Sequence, residues 1–147
     1  MRSTKRLSNT APVALRMALA AGFLSAVADR FGLWGPIGTL GVSWGGFARF
    51  LDYTATLLPF LPTTLVAVAG WAATVAETVL GVALLAGVRV RLAALASGVL
   101  LLTFAVAMTT ALGPEAPLSY SVWTAAAGAF LLAQDRPAAC QEPPVAA

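Results

Sequence analysis

Of the chain's 147 residues, 59% are hydrophobic and only 10% charged, against roughly 25% charged in an ordinary soluble domain; with a mean hydropathy of +0.84 this is the composition of an integral membrane protein. The formal charge of +3 and the pI near 9.8 then reflect Lys and Arg in cytoplasmic loops, and nucleic acid is set aside as a partner. The chain has no histidine and one cysteine, Cys140, which excludes His-ligated haem, ordinary zinc sites, iron–sulfur clusters and an internal disulfide framework, so no metal site is assigned.

A spanning helix needs about 20 mainly apolar residues. The first candidate covers residues 12–28, PVALRMALAAGFLSAVA, after a basic N-terminal segment at 1–11 that carries Arg2, Lys5 and Arg6. A basic stretch, an apolar core and the small triplet Ala26-Val27-Ala28 also fit a signal peptide cleaved after Ala28. Arg16 shortens the apolar core to residues 17–28 and favours a retained helix.

Residues 31–61 are too many for a simple turn and too apolar for a linker. The FGLWGPIGTLG part is irregular. Farther on, Trp44, Phe47, Phe50, Leu51, Leu57 and Leu58 recur at helical spacing, and Ser43 is placed to cap a short helix. That helix is expected in the outer interface with its aromatics at headgroup depth; a loop packed over the bundle mouth is the alternative. Trp34, Trp71, Tyr120 and Trp123 extend the same aromatic belt.

The second span is expected at 63–87 and the third, which is free of charge, at 92–112. The fourth, at 118–133, reads LSYSVWTAAAGAFLLA and is bounded by Pro117 and by Gln134, Asp135 and Arg136. Residues 134–147 are rich in Pro and Ala and read as a disordered cytoplasmic tail, with Cys140 inert in it. The expected fold is all-α: a four-helix transmembrane bundle, residues 12–133, with a short interfacial helix between the first two spans. With both termini in the cytoplasm, the basic N-terminus, the Arg89 and Arg91 turn and Arg136 all fall on the cytoplasmic side.

One carboxylate stands inside a span. At 100° per residue, Glu77 shares a stripe of the second span with Gly70, Ala73, Thr74 and Gly81. Small residues let membrane helices approach closely, so Glu77 faces the bundle interior. A comparable small stripe on the first span holds Ala18, Gly22, Ser25, Ala26 and Asp29. A charge at mid-span costs at least ~2.5–3.5 kcal/mol on insertion scales. Either a bound proton or a basic partner reduces that cost.

Helical side chains lean towards their own N-terminus, so Arg30 on the outward-running first span and Glu77 on the inward-running second lean towards each other. Their depths differ by roughly 12 Å at 1.5 Å per residue, within combined reach. Asp29 competes for Arg30, and a solvated Asp29–Arg30 pair at the interface is the plainer expectation. Arg16 leans to cytoplasmic water and, with Arg89 and Arg91, reads as an anchor. Glu77 is either a packing-registry device or a group that handles protons or a polar ligand, with Arg30 and Asp29 beside it.

Four spans with LRMALAAGFLSAVADR in the first, placing Arg16 and Arg30 at two basic positions, and AETVLGVALLAGVRVRLAAL in the second, placing Glu77, Gly81, Gly87 and Arg91, resemble the DoxX family of small bacterial and archaeal membrane proteins. The resemblance covers about residues 12–133. Arg30 stands where the family often has Lys, and Asp29 with FGLWGP marks a distinct branch. The resemblance implies a location in the bacterial inner membrane and a role beside respiratory or oxidative-stress complexes. On that basis the expected function is an accessory subunit of a quinone-linked oxidoreductase, with quinone as the cofactor and an oxidoreductase, the bilayer and a further copy of the chain as partners. A small proton-coupled transporter of an apolar solute, and a scaffold without a small-molecule site, are the alternatives.

Overall fold

A computed structural model describes residues 2–135, with side chains from Thr10 onward; Arg136, Cys140 and the rest of the expected tail lie outside the described residues. Within them the chain is all-helical. The elements are α1 Arg2–Arg30, α2 Phe47–Leu57, α3 Thr63–Ala86, α4 Val90–Leu112, α5 Glu115–Ser119 and α6 Val122–Gln134. Three stretches are long and apolar enough to cross a membrane: Thr10–Arg30 within α1, all of α3 and all of α4. The expected basic segment before the first span is already helical, as the opening turns of α1.

The fourth expected span is not one continuous helix. The chain breaks after α5, where Ser121 takes a left-handed conformation at φ 56°, and α6 that follows has 13 residues. At 1.5 Å per residue α6 is about 20 Å long, short of the ~30 Å hydrocarbon core. The average hydropathy of 118–133 does not place this break, which depends on backbone dihedrals at Tyr120 and Ser121, within the polar Ser119-Tyr120-Ser121 stretch.

α1 packs on α3 and α6, and α4 packs on α3 and α6. The shared core holds Leu19, Ala20 and Phe23 of α1, Leu84 of α3, and Ala93, Ala94, Ala129 and Ala133 of α4 and α6. Alanine and glycine dominate because close helix approach, rather than water exclusion, holds apolar helices together in lipid. At Gly98 a Cβ would stand 2.7 Å from the Phe130 ring, and at Gly81 it would stand 3.0 Å from Leu24. Each glycine is a notch filled by a large residue on the facing helix.

That arrangement corrects the expected stripe on the first span. Gly22 is exposed with open space around it, Ala18 and Ser25 are also exposed, and Ala26 is half-buried. The packing face of α1 runs instead through Leu19, Ala20 and Phe23. The notch is on α3, so α1 needs bulk opposite it, and a second small stripe would leave a void. Gly70 serves a different neighbour: a Cβ there would stand 2.5 Å from Leu51 of α2. Ala73 is half-buried on the same face.

α2 lies against α3 and α4, with Phe50 and Thr54 buried. It begins at Phe47 after Gly46, without a side-chain cap. Ser43 does not cap it as expected, because the helix starts three residues farther on, with Gly46 in the capping position; the Ser43 amide instead donates to Asp29.

Candidate functional site

Arg30 ends α1, and Glu77 sits past the middle of α3. The Arg30 Nη2 donates to Glu77 Oε1 at 2.8 Å, and among the described residues this is the one ion pair. The Arg30 Nη1 donates to Thr74 Oγ1 at 3.0 Å, and the Thr74 hydroxyl donates to the Gly70 carbonyl at 2.8 Å. Thr74 and Glu77 are three residues apart and so share one helical face. The guanidinium fork reaches both at once, which a lysine ammonium does not match in geometry. Arg30 is 3% exposed and Glu77 2%.

Aromatic rings close the other side of the guanidinium. Its central carbon lies 3.9 Å from the Phe50 ring centroid and 5.4 Å from that of Trp44. Trp44 meets Phe50 edge-on at 5.4 Å, and Phe47 continues the cluster to Trp71 at 4.4 Å. A desolvated cation over an aromatic face gains about 2 kcal/mol. The rings come from α2 and the loop before it, so those segments complete a site whose charges belong to α1 and α3.

Asp29 does not take Arg30. Its Oδ2 accepts the backbone N–H groups of Ser43 at 2.9 Å and Trp44 at 3.1 Å, and its Oδ1 accepts that of Gly45 at 3.2 Å. This corrects the expected solvated Asp29–Arg30 pair: both residues are buried, and they face different partners about 100° apart on the helix. The carboxylate folds the loop back onto the end of α1 and thereby sets Trp44 over its neighbour Arg30. Gly45 has to be glycine for this closure, since a Cβ at its φ of +59° would stand 2.6 Å from the Ile37 amide nitrogen.

Two polar atoms of the pair remain open. Arg30 Nε and Glu77 Oε2 are buried and have no hydrogen-bond partner. One is a donor and the other an acceptor, adjoining the same ion pair. Buried polar groups are nearly always satisfied, so such atoms call for a ligand or a bound water.

The other expected residues lie elsewhere. Arg16 packs its guanidinium beside Gly87 at the turn from α3 to α4, and its Nε is buried, which differs from an anchor extended into water. Arg89 and Arg91 are exposed at that turn. On α2, burial and then the Tyr120 phenol hold the Tyr53 hydroxyl above its ordinary range, so it stays neutral at physiological pH. No group of three or more acidic, histidine or cysteine side chains that would hold a metal occurs among the described residues.

The residues that sequence reasoning missed are Phe50 and Trp44 as ring partners of Arg30, and Thr74 as its second acceptor. Thr74 was legible from its spacing to Glu77; the rings were not, because only the closure of the loop by Asp29 brings them there. Comparison of the chain with protein-family models, with curated proteins and with solved structures finds no match.

Proposed function

We propose that the chain is a DoxX-like protein of the bacterial cytoplasmic membrane, a four-helix bundle with cytoplasmic termini and α2 in the outer interface, serving as an accessory subunit of a quinone-linked oxidoreductase. Three long apolar helices and the α5–α6 segment supply the material for such a bundle. The observation that carries the ligand reading is the pair of open atoms, Arg30 Nε and Glu77 Oε2, beside a buried ion pair. A scaffold needs only the pair itself, whereas a donor and an acceptor left open fit a molecule with both a carbonyl and a hydroxyl.

The quinone–quinol couple has that chemistry across its two states, carbonyls when oxidised and hydroxyls when reduced, and when bound it would supply two-electron, two-proton exchange with an oxidoreductase partner. Arg30 would donate from Nε to a carbonyl oxygen. Glu77 would hold a proton at Oε2, and Phe50 with Trp44, already set against the Arg30 guanidinium, would exclude water. The test is quinone-dependent activity of native membranes carrying Glu77→Gln, with mild-detergent copurification to identify the partner. Unchanged activity in that variant removes the proton role.

A proton-coupled carrier is the second reading, favoured by the interruption between α5 and α6, since interrupted helices line transporter sites. Solute or proton flux in liposomes that is lost in Glu77→Ala would select it over the first.

A further inference from the structure

At the end of the molecule opposite Arg30, a groove of about 820 Å³ opens between α1, α4 and α6. Arg16 stands 14 residues before Arg30 on α1, about 21 Å along the axis. Three arginines line the groove, Arg16, Arg89 and Arg91, against one carboxylate, Asp135. Among the described residues none of the three has an ion-pair partner, and the Arg16 Nε is buried without a hydrogen bond. The rest of the groove is lined by apolar side chains, among them Val13, Leu92, Leu95 and Leu132. Cations without an ion-pair partner among the described residues, set beside apolar side chains, complement an anionic headgroup and its acyl chain.

We infer that this groove binds an anionic phospholipid, its phosphate held among Arg16, Arg89 and Arg91 and an acyl chain laid along Leu92, Leu95 and Leu132. Basic pockets between membrane helices on the cytoplasmic side take such headgroups. The turn is shaped for this. Gly87, at φ +73°, lies so close to Arg16 that a Cβ would stand 2.9 Å from its Nη1, so the missing side chain leaves room for the guanidinium. Arg89 holds a left-handed backbone at φ 44°, a conformation non-glycine residues seldom adopt, and its side chain is exposed where it lines the groove. The inference rests on the chain being embedded in a membrane and is independent of quinone chemistry.

The experiment is native mass spectrometry of the full chain in detergent, offered phosphatidylglycerol or phosphatidylcholine with matched acyl chains. Each arginine near an anionic headgroup is expected to favour it by about fivefold, so phosphatidylglycerol is retained strongly over phosphatidylcholine. The combined Arg16→Gln, Arg89→Gln and Arg91→Gln variant should lose that preference while keeping the parent's helix content, and Gly87→Ala should weaken it. Inorganic phosphate in excess should not displace the lipid, because it lacks the acyl contact; displacement would reassign the groove to a free anion and overturn the lipid.

Equal retention of both lipids, an undiminished preference in the triple variant, or a second copy of the chain bound in place of lipid each overturns the proposal. Carbonate washing of membranes separates its failure from that of the membrane reading. Release of the chain into the wash removes both, whereas retention of the chain with equal lipid binding removes the lipid site alone.

Discussion

Arg30 and Glu77, 47 positions apart in the chain, meet at 2.8 Å with both side chains out of solvent. A buried pair of this kind is worth little against an apolar replacement but is costly to break on one side, because the remaining charge is stranded. Glu77→Ala should therefore destabilise the protein by about 3–5 kcal/mol. The double variant Arg30→Met with Glu77→Leu should recover much of that loss. Denaturant or thermal unfolding in detergent measures both, and a double variant as unstable as the sum of the singles would show that the two side chains act independently.

The fork geometry separates arginine from lysine at position 30. Arg30→Lys keeps the charge but has no planar pair of donors for Thr74 and Glu77 together, and it loses the flat contact with Phe50. A loss of about 1–3 kcal/mol is expected, from the range for a hydrogen bond to a charged group. If Arg30→Lys unfolds at the parent's midpoint, the second donor and the ring contact contribute nothing.

Asp29 acts on the loop, and its replacement should be felt there first. In Asp29→Ala the amides of Ser43, Trp44 and Gly45 lose a charged acceptor, a change of about 1.5–3 kcal/mol for such bonds. Hydrogen exchange at those three amides should quicken by more than tenfold while the middle of α4 is unaffected. Trp44 should also leave Arg30, which its fluorescence would register. Exchange that stays slow at 43–45 would mean that the loop is held by something other than the carboxylate.

The glycine notches give a packing test away from the polar site. Gly98→Ala places a methyl 2.7 Å from the Phe130 ring and Gly81→Ala places one 3.0 Å from Leu24, whereas Gly22→Ala meets nothing within 4 Å. The first two should cost about 1–3 kcal/mol each through overpacking. The third should be neutral or slightly stabilising, since alanine is the better helix former. Equal unfolding midpoints for Gly98→Ala and Gly22→Ala would contradict the observed packing.

α1 is built into the core through Leu19, Ala20 and Phe23, and removing it would uncover Gly81 on α3 and Gly128 on α6, which pack against Leu24 and Leu15. N-terminal sequencing of the membrane-purified chain should therefore find α1 retained. A mature chain beginning at Asp29 would show that the remaining helices repack without it.

Much of this molecule could be read along the chain. Whether a segment of about 20 residues can enter lipid depends on its own side chains, so composition and apolar runs were enough to place α1, α3 and α4. Helical periodicity was enough to turn Glu77 inward beside Thr74, and chain direction was enough to lean it towards Arg30. The packing face of α1 was misjudged for a definable reason: small residues show where a helix can be approached, not which of two facing helices supplies the notch. The break at Ser121 was hidden because it is a turn of the backbone, and the short polar stretch Ser119-Tyr120-Ser121 around it sits inside an otherwise apolar run.

Only the tertiary structure decided which partner each charge took. Asp29 and Arg30 are neighbours in sequence, and either could have faced Glu77 or the other. The outcome turned on three loop amides closing around Asp29, which freed Arg30 and set Trp44 and Phe50 against it. Such contacts depend on helix rotation, relative depth and loop closure together, and none of these is a property of a local stretch of chain.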